Sequence, residues 1–141
     1  MGRILGIDYG KKRVGLAVTD TLQIIANQLA VVPTHKIWDF LEDYFMKEQV
    51  DEVVLGYPRQ MNNQPSDAVI YIEMFIRKFK KVYPAMRLEL IDERYTSKLA
   101  FQAMIDGGLK KKARQNKGKI DEISATIILQ SYMEQKRFQK L

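Results

Sequence analysis

Apolar residues follow two rhythms along this chain: continuous or alternating runs that suit strands, and spacings of three and four that suit helices. The first run, Ile4, Leu5 and Ile7 within residues 3–10, is unbroken enough to be buried on both faces of a sheet, which predicts a central strand. Lys11-Lys12-Arg13 makes a polar turn, and residues 14–18 run back as a second strand of a hairpin. Asp20-Thr21 marks another turn, and residues 24–32 contain a third extended stretch that ends at Pro33.

From Thr34 the period changes. Ile37, Leu41, Tyr44 and Phe45 predict a helix to about Gln49, with Trp38 in the core and His35 at the helix start in a cap or surface role. Residues 52–56 read as a short buried strand closed by Tyr57-Pro58. Ala68, Ile72, Phe75, Ile76 and Phe79 predict a second helix that Pro84 ends. Another strand over residues 88–91 runs into Asp92-Glu93-Arg94. Thr96 or Ser97 caps a helix carrying Leu99, Ala103 and Met104 that stops at Gly107-Gly108. Ile120-Asp121 opens a last helix through Ser124, Ala125, Ile128 and Tyr132.

Three antiparallel strands followed by helix, strand, helix, strand, helix and helix predict an α/β fold. Right-handed strand-helix-strand crossovers make parallel neighbours, so the fourth strand belongs beside the first rather than on the hairpin's far edge. The result is a five-stranded mixed sheet, three antiparallel strands then two parallel, with helices on both faces. Its parallel strands share one carboxyl edge, where ligands bind in such sheets. The 141 residues suit a single domain, 1–141.

Composition narrows the chemistry. No apolar run approaches the roughly 20 residues that span a bilayer, and the first strand begins at once, without room for a signal peptide. The expectation is a cytoplasmic protein with no membrane partner. There is no cysteine and one histidine, so any metal must sit on oxygen. The formal charge of +6 favours an anionic partner such as nucleic acid. Residues 110–119 carry six cations and no acid, either a solvated loop or a polyanion contact.

Asp8 closes the first strand, and a buried ionised carboxylate is costly unless it is paired or holds a cation. An aspartate after a strand can also cap a turn through its own side chain. Gly10 lets the backbone turn tightly or lets a ligand approach. Glu93 leaves from the same predicted edge as Asp8, and a helix beginning near Asp121 brings its first turn there. Three carboxylates at one point repel, about 4 kcal/mol for two unit charges at ~4 Å and an effective dielectric of ~20. Arg94 can neutralise one of them. The alternative is one or two hard divalent cations, Mg²⁺ or Mn²⁺, which suit hydrolysis of a phosphodiester.

The order of these motifs resembles the YqgF (RuvX) family over nearly the full length. They are Gly6-Ile7-Asp8-Tyr9-Gly10 with Lys12-Arg13-x-Gly15-x-Ala17, then Gly56-Tyr57-Pro58, Asp92-Glu93-Arg94-Tyr95-Thr96-Ser97, and Asn116-Lys117-Gly118-Lys119-Ile120-Asp121 followed by Ser124-Ala125. That family has the RNase H-like fold and is described as pre-16S ribosomal RNA nucleases or Holliday junction resolvases. The resemblance implies Asp8, Glu93 and Asp121 as catalytic carboxylates holding Mg²⁺ or Mn²⁺, two ions in all. It implies Arg13, Arg94, Asn116, Lys117 and Lys119 as substrate contacts, and the basic run Lys110, Lys111 and Lys112 belongs with them. Partners would be pre-rRNA or branched DNA and ribosomal precursor particles. The chain departs from the family pattern at Met61-Asn62-Asn63-Gln64-Pro65, where Asn can supply the left-handed backbone that glycine otherwise does.

Three other functions fit the same residues. A junction resolvase would act as a homodimer making symmetric cuts, whereas a monomer would trim one RNA strand. A non-catalytic RNA-binding assembly factor could retain the fold and the acids. The actin-like and sugar-kinase ATPases open with a similar Asp-x-Gly hairpin, but they close a second domain over the nucleotide, and 141 residues hold none.

Overall fold

A computed structural model describes residues 2–57, 67–92 and 117–139, with residues 67–68, 92, 117–124 and 137–139 described by backbone only. Five strands form one sheet: β1 (Arg3–Tyr9), β2 (Arg13–Thr19), β3 (Ala26–Pro33), β4 (Val50–Tyr57) and β5 (Arg87–Asp92). Their order across the sheet is β3-β2-β1-β4-β5. The first three are antiparallel neighbours, and β4 and β5 continue parallel to β1. This is the mixed sheet that the hydrophobic pattern predicts, with the fourth strand beside the first.

Alternation along β1 feeds two cores. Leu5 and Ile7 point to one face, where Ile37 and Leu41 of α1 (Ile37–Lys47) and Ile72, Phe75, Ile76 and Phe79 of α2 (Asp67–Val82) complete a cluster. Ile4 points to the other, with Ala17, Val54 and Ile91 under α3 (Lys117–Gln139). Ala125, Ile128, Leu129, Tyr132 and Met133 form the buried stripe of α3, a spacing of three and four that one helix face requires. Each fully buried aliphatic side chain contributes about 1.5–3 kcal/mol. Among the described residues no helix is long and apolar enough to cross a membrane.

Several boundaries differ from the expectation. The first helix opens with a 3-10 turn (Thr34–Lys36) and ends at Lys47. His35 is exposed in that turn, and Thr34 donates its Oγ1 hydroxyl to the Gly10 carbonyl at 2.7 Å. Trp38 is half-buried rather than enclosed, and stacks on Phe75 at 5.1 Å. The last helix begins at Lys117, about a turn before Ile120. Lysine is a good helix former and one Gly costs only about 1 kcal/mol, so the end of the basic segment joins the helix. The helix expected between Thr96 and Gly107 and the departure at residues 61–65 lie outside the described residues.

Candidate nuclease site

The carboxyl edge of the sheet starts from glycines. A Cβ placed on Gly10 would sit 2.6 Å from the Arg13 carbonyl oxygen, which accepts the Gly10 N–H at 3.0 Å. Of the two uses of Gly10, the tight turn is the one the geometry requires. Gly6 has a different reason. A Cβ there would lie 3.0 Å from Leu129 Cβ and 3.2 Å from the Ala125 carbonyl oxygen, so α3 packs directly on the β1 backbone. The sequence reasoning missed this role, although a glycine inside an apolar strand signals close backbone approach.

That contact sets the direction of α3. Ile4 is two residues before Gly6 on the same face and is in register with Glu52 of β4. Glu52 accepts hydrogen bonds from Tyr132 and Lys136. Helix numbers therefore rise as strand numbers fall, and α3 runs antiparallel to β1. One helical turn before Ala125 is Asp121, and one strand repeat after Gly6 is Asp8. The two steps are nearly equal, about 5.4 Å and about 6.6 Å. Asp121 therefore lies towards the same edge of the sheet as Asp8.

Asp8 is half-buried at the end of β1, on the α3 face by its parity with Ile4 and Gly6. It is in register with Gly15 of β2, and Ile7 with Leu55 puts Gly56 next to it on the other side. Both flanking residues lack side chains. Arg13 shares the parity of Gly15 and Ala17, hence the Asp8 face, and is half-buried. Neither Asp8 nor Arg13 is without a partner. Asp92 ends β5 in register with Tyr57.

Of the other expected site residues, Lys117 and Lys119 lie in the first turn of α3, described by backbone only. Glu93, Arg94, Lys110, Lys111, Lys112 and Asn116 lie outside the described residues. Among the described residues no three His, Cys, Asp or Glu side chains are grouped to hold a metal; of the three expected acids, that search reached the Asp8 side chain alone. The donor chemistry of the expected acids is nevertheless all oxygen, which suits a hard cation.

On the opposite face, an aromatic chain leads away from this edge. Tyr9 contacts Phe75 at 4.6 Å between ring centroids, and Phe75 contacts Trp38. Burial raises the phenol pKa of Tyr9, so Tyr9 stays neutral beside the site.

Residues 2–135 match the family model RuvX, described as a Holliday junction resolvase. The chain belongs to the RuvX family. A relative from Flavobacterium johnsoniae is 58% identical over 138 residues, covering 98% of this chain and 100% of that protein. One from Phocaeicola vulgatus is 59% identical over 138 residues, covering 98% and 99%. Both bear the name "Putative pre-16S rRNA nuclease". Among solved structures, Thermus thermophilus RuvC in complex with Holliday junction substrate matches at a TM-score of 0.57 and 17% identity, covering 94% of this chain and 96% of that one. A further Thermus thermophilus RuvC structure matches at 0.51. That likeness establishes an RNase H-like fold for this RuvX member.

Proposed function

We propose that this RuvX protein is a metal-dependent nuclease that hydrolyses phosphodiester bonds in structured nucleic acid, acting in the cytoplasm as one domain on the 5′ end of pre-16S ribosomal RNA. The observation that carries it is the antiparallel seating of α3 on Gly6, which directs the amino-terminal part of the helix towards the edge where Asp8 ends β1. Relatives above 50% identity over nearly the whole chain bear a pre-16S rRNA nuclease name, which supports the substrate.

In this proposal Asp8, Glu93 and Asp121 hold the cation. Glu93 has the strand parity of Ile91, which is buried on the α3 face, so an extended continuation of β5 would direct it to the face of Asp8. One or two Mg²⁺ or Mn²⁺ ions, when bound, supply Lewis-acid polarisation of the scissile phosphate. Arg13, on the same face, orients a phosphate by its fixed fork of donors. Arg94, Lys110, Lys111, Lys112, Asn116, Lys117 and Lys119 hold the rest of the polyanion.

A second reading, resolution of four-way DNA junctions, is favoured by the RuvX model's own description. The experiment that decides compares a pre-16S rRNA fragment and a four-way DNA junction, each with Mg²⁺, Mn²⁺ or EDTA, for wild type and Asp8→Asn. Metal-dependent cutting of the RNA, lost in the variant, is the expected result. Cutting of the junction alone establishes the second reading. Equal cutting by Asp8→Asn overturns the site, and tight binding without any cutting establishes a non-catalytic assembly factor.

A further inference from the structure

Four lysines from three separate elements gather beside the carboxyl edge on the α1–α2 face. Lys11 and Lys12 are exposed in the β1–β2 turn, and Lys36 is exposed in the 3-10 turn. The two turns are tied together, because the Thr34 N–H donates to the Lys12 carbonyl at 3.1 Å and the Thr34 hydroxyl to Gly10. Lys78 comes from α2. Two of these ammonium groups are parked over rings: Lys11 Nζ lies 5.3 Å from the Tyr71 centroid and Lys78 Nζ 4.6 Å from the Trp38 centroid. Trp38 connects through Phe75 to Tyr9, the neighbour of Asp8. The lysine group is therefore continuous with the nuclease edge.

What distinguishes this group is that two of its cations rest on rings rather than on acids. At the far end of the sheet, Arg3 pairs with Glu48, Lys136 with Glu52, and Arg87 with Glu89 and Glu52. Among the described residues no carboxylate lies within ion-pair distance of Lys11, Lys12, Lys36 or Lys78. Of the α1 acids, Asp43 pairs with Lys47 and Glu42 acts on Tyr83 at the other end of the helix, while Asp39 is exposed in the first turn. A ring under the ammonium restricts a lysine's rotamers without neutralising its charge. Part of the ordering cost of binding a phosphate is then met before the ligand arrives.

We propose that this face is a second nucleic-acid contact surface, which carries one strand away from the cleavage point with its phosphates on Lys11, Lys12, Lys36 and Lys78. The surface rests on the nuclease reading above for its polarity, and the recognised chemistry is the phosphodiester backbone shared by RNA and DNA. It lies across the sheet from α3, so a polymer at the edge meets it on the face opposite that helix. A substrate with chain extending past the cut uses both, and one that ends at the cut uses only the α3 side.

The test is binding of a fluorescent hairpin bearing a single-stranded tail, prepared as RNA and as DNA, over a range of salt. Wild type is compared with Lys11→Gln/Lys78→Gln and with Lys80→Gln/Lys81→Gln, which removes the same charge from exposed positions further along α2. Thermal melts establish that both variants fold. The first variant should bind the tailed hairpin about tenfold more weakly, with a salt slope smaller by about 1.4, near 0.7 for each lost single-strand phosphate contact. Its affinity for a tailless hairpin and the affinities of the control variant should match wild type. Equal weakening by both variants, or unchanged binding by the first, overturns the surface. Loss of RNA binding alone identifies RNA as the strand, and loss of DNA binding alone identifies DNA. Wild type that binds but does not cut, with the first variant still weakened, keeps the surface and removes the nuclease reading; wild type that binds neither polymer removes both.

Discussion

The two ends of the same parallel strands are built on opposite electrostatic plans. At the amino end, polar groups close on one another. Glu52, 4% exposed, accepts from Tyr132 Oη at 2.7 Å and Lys136 Nζ at 2.5 Å, with Arg87 at 3.7 Å. Asp51 accepts the Gly2 N–H, and Asp20 accepts the N–H groups of Leu22, Ile24 and Ile25, which lowers its pKa. The turn is tight enough to place Gln23 at φ 58°. At the carboxyl end, glycines flank an aspartate, and lysines rest on rings. A carboxylate surrounded by donors is a structural tie, because its charge is already spent. Cations that rest on rings keep their charge, which suits them to something that binds. The contrast separates the buried acid that holds the fold together, Glu52, from the acid proposed to address the substrate, Asp8.

The largest effect belongs to the carboxyl end. Asp8→Asn should lower the cleavage rate by more than about 100-fold while nucleic-acid binding persists, since disturbing even the outer partners of a metal ligand costs 10–100-fold. Single-turnover cleavage beside a binding titration measures both. Glu52→Ala inverts the pattern: about 3 kcal/mol of unfolding free energy should be lost, because the buried carboxylate's partners are left without it. Urea denaturation reads that loss, and cleavage per folded molecule should stay near wild type. A fall in cleavage beyond the fraction unfolded would show that the two ends are coupled through α3.

Gly6→Ala lies between the ends and should affect both. The added methyl meets the Ala125 carbonyl and Leu129, and overpacking of this kind costs about 1–3 kcal/mol. Because α3 must lift from β1, cleavage should fall along with stability, and a variant that loses only stability would separate the helix seat from the site. Tyr132→Phe should cost about 1 kcal/mol, the net worth of one hydrogen bond. Its pH dependence carries the sharper sign. Burial and the bond to Glu52 raise the Tyr132 pKa above its ordinary value of 10.0, so the folded state retains a proton that the unfolded state loses. That stabilisation is complete below about pH 10 and declines as pH rises from there towards the folded pKa. Denaturation at pH 9 and pH 11 should show a smaller decline for Tyr132→Phe than for wild type.

Periodicity alone carried the strand order. The unbroken runs of β1 and β2 and the three-four spacing of α1 and α2 each report burial on a repeating geometry, and handedness rules then leave few ways to connect them. Asp8 was legible as an anomaly, a charge ending an apolar strand. The Gly6 contact was not weighed, although its signal was present, because local pattern does not say which helix will cover a strand. Trp38 shows the same limit: its spacing marks an apolar face, but whether that ring is enclosed or holds Lys78 depends on where α2 lies. Glu52 read simply as the first residue of a short buried strand. Its burial comes from Tyr132 and Lys136, some 80 residues later in the chain.

The sequence by itself determined the elements, their order, the predominance of oxygen donors and the excess of positive charge, since these follow from residue type and local spacing. Only the tertiary structure decided that α3 runs antiparallel to β1, that Glu52 meets Tyr132 and Lys136 at one end, and that Lys11 and Lys78 rest on rings on the α1–α2 face. Those are relations between residues distant in the chain, and the close packing that fixes them, such as a helix backbone resting on Gly6, is decided only when the elements meet.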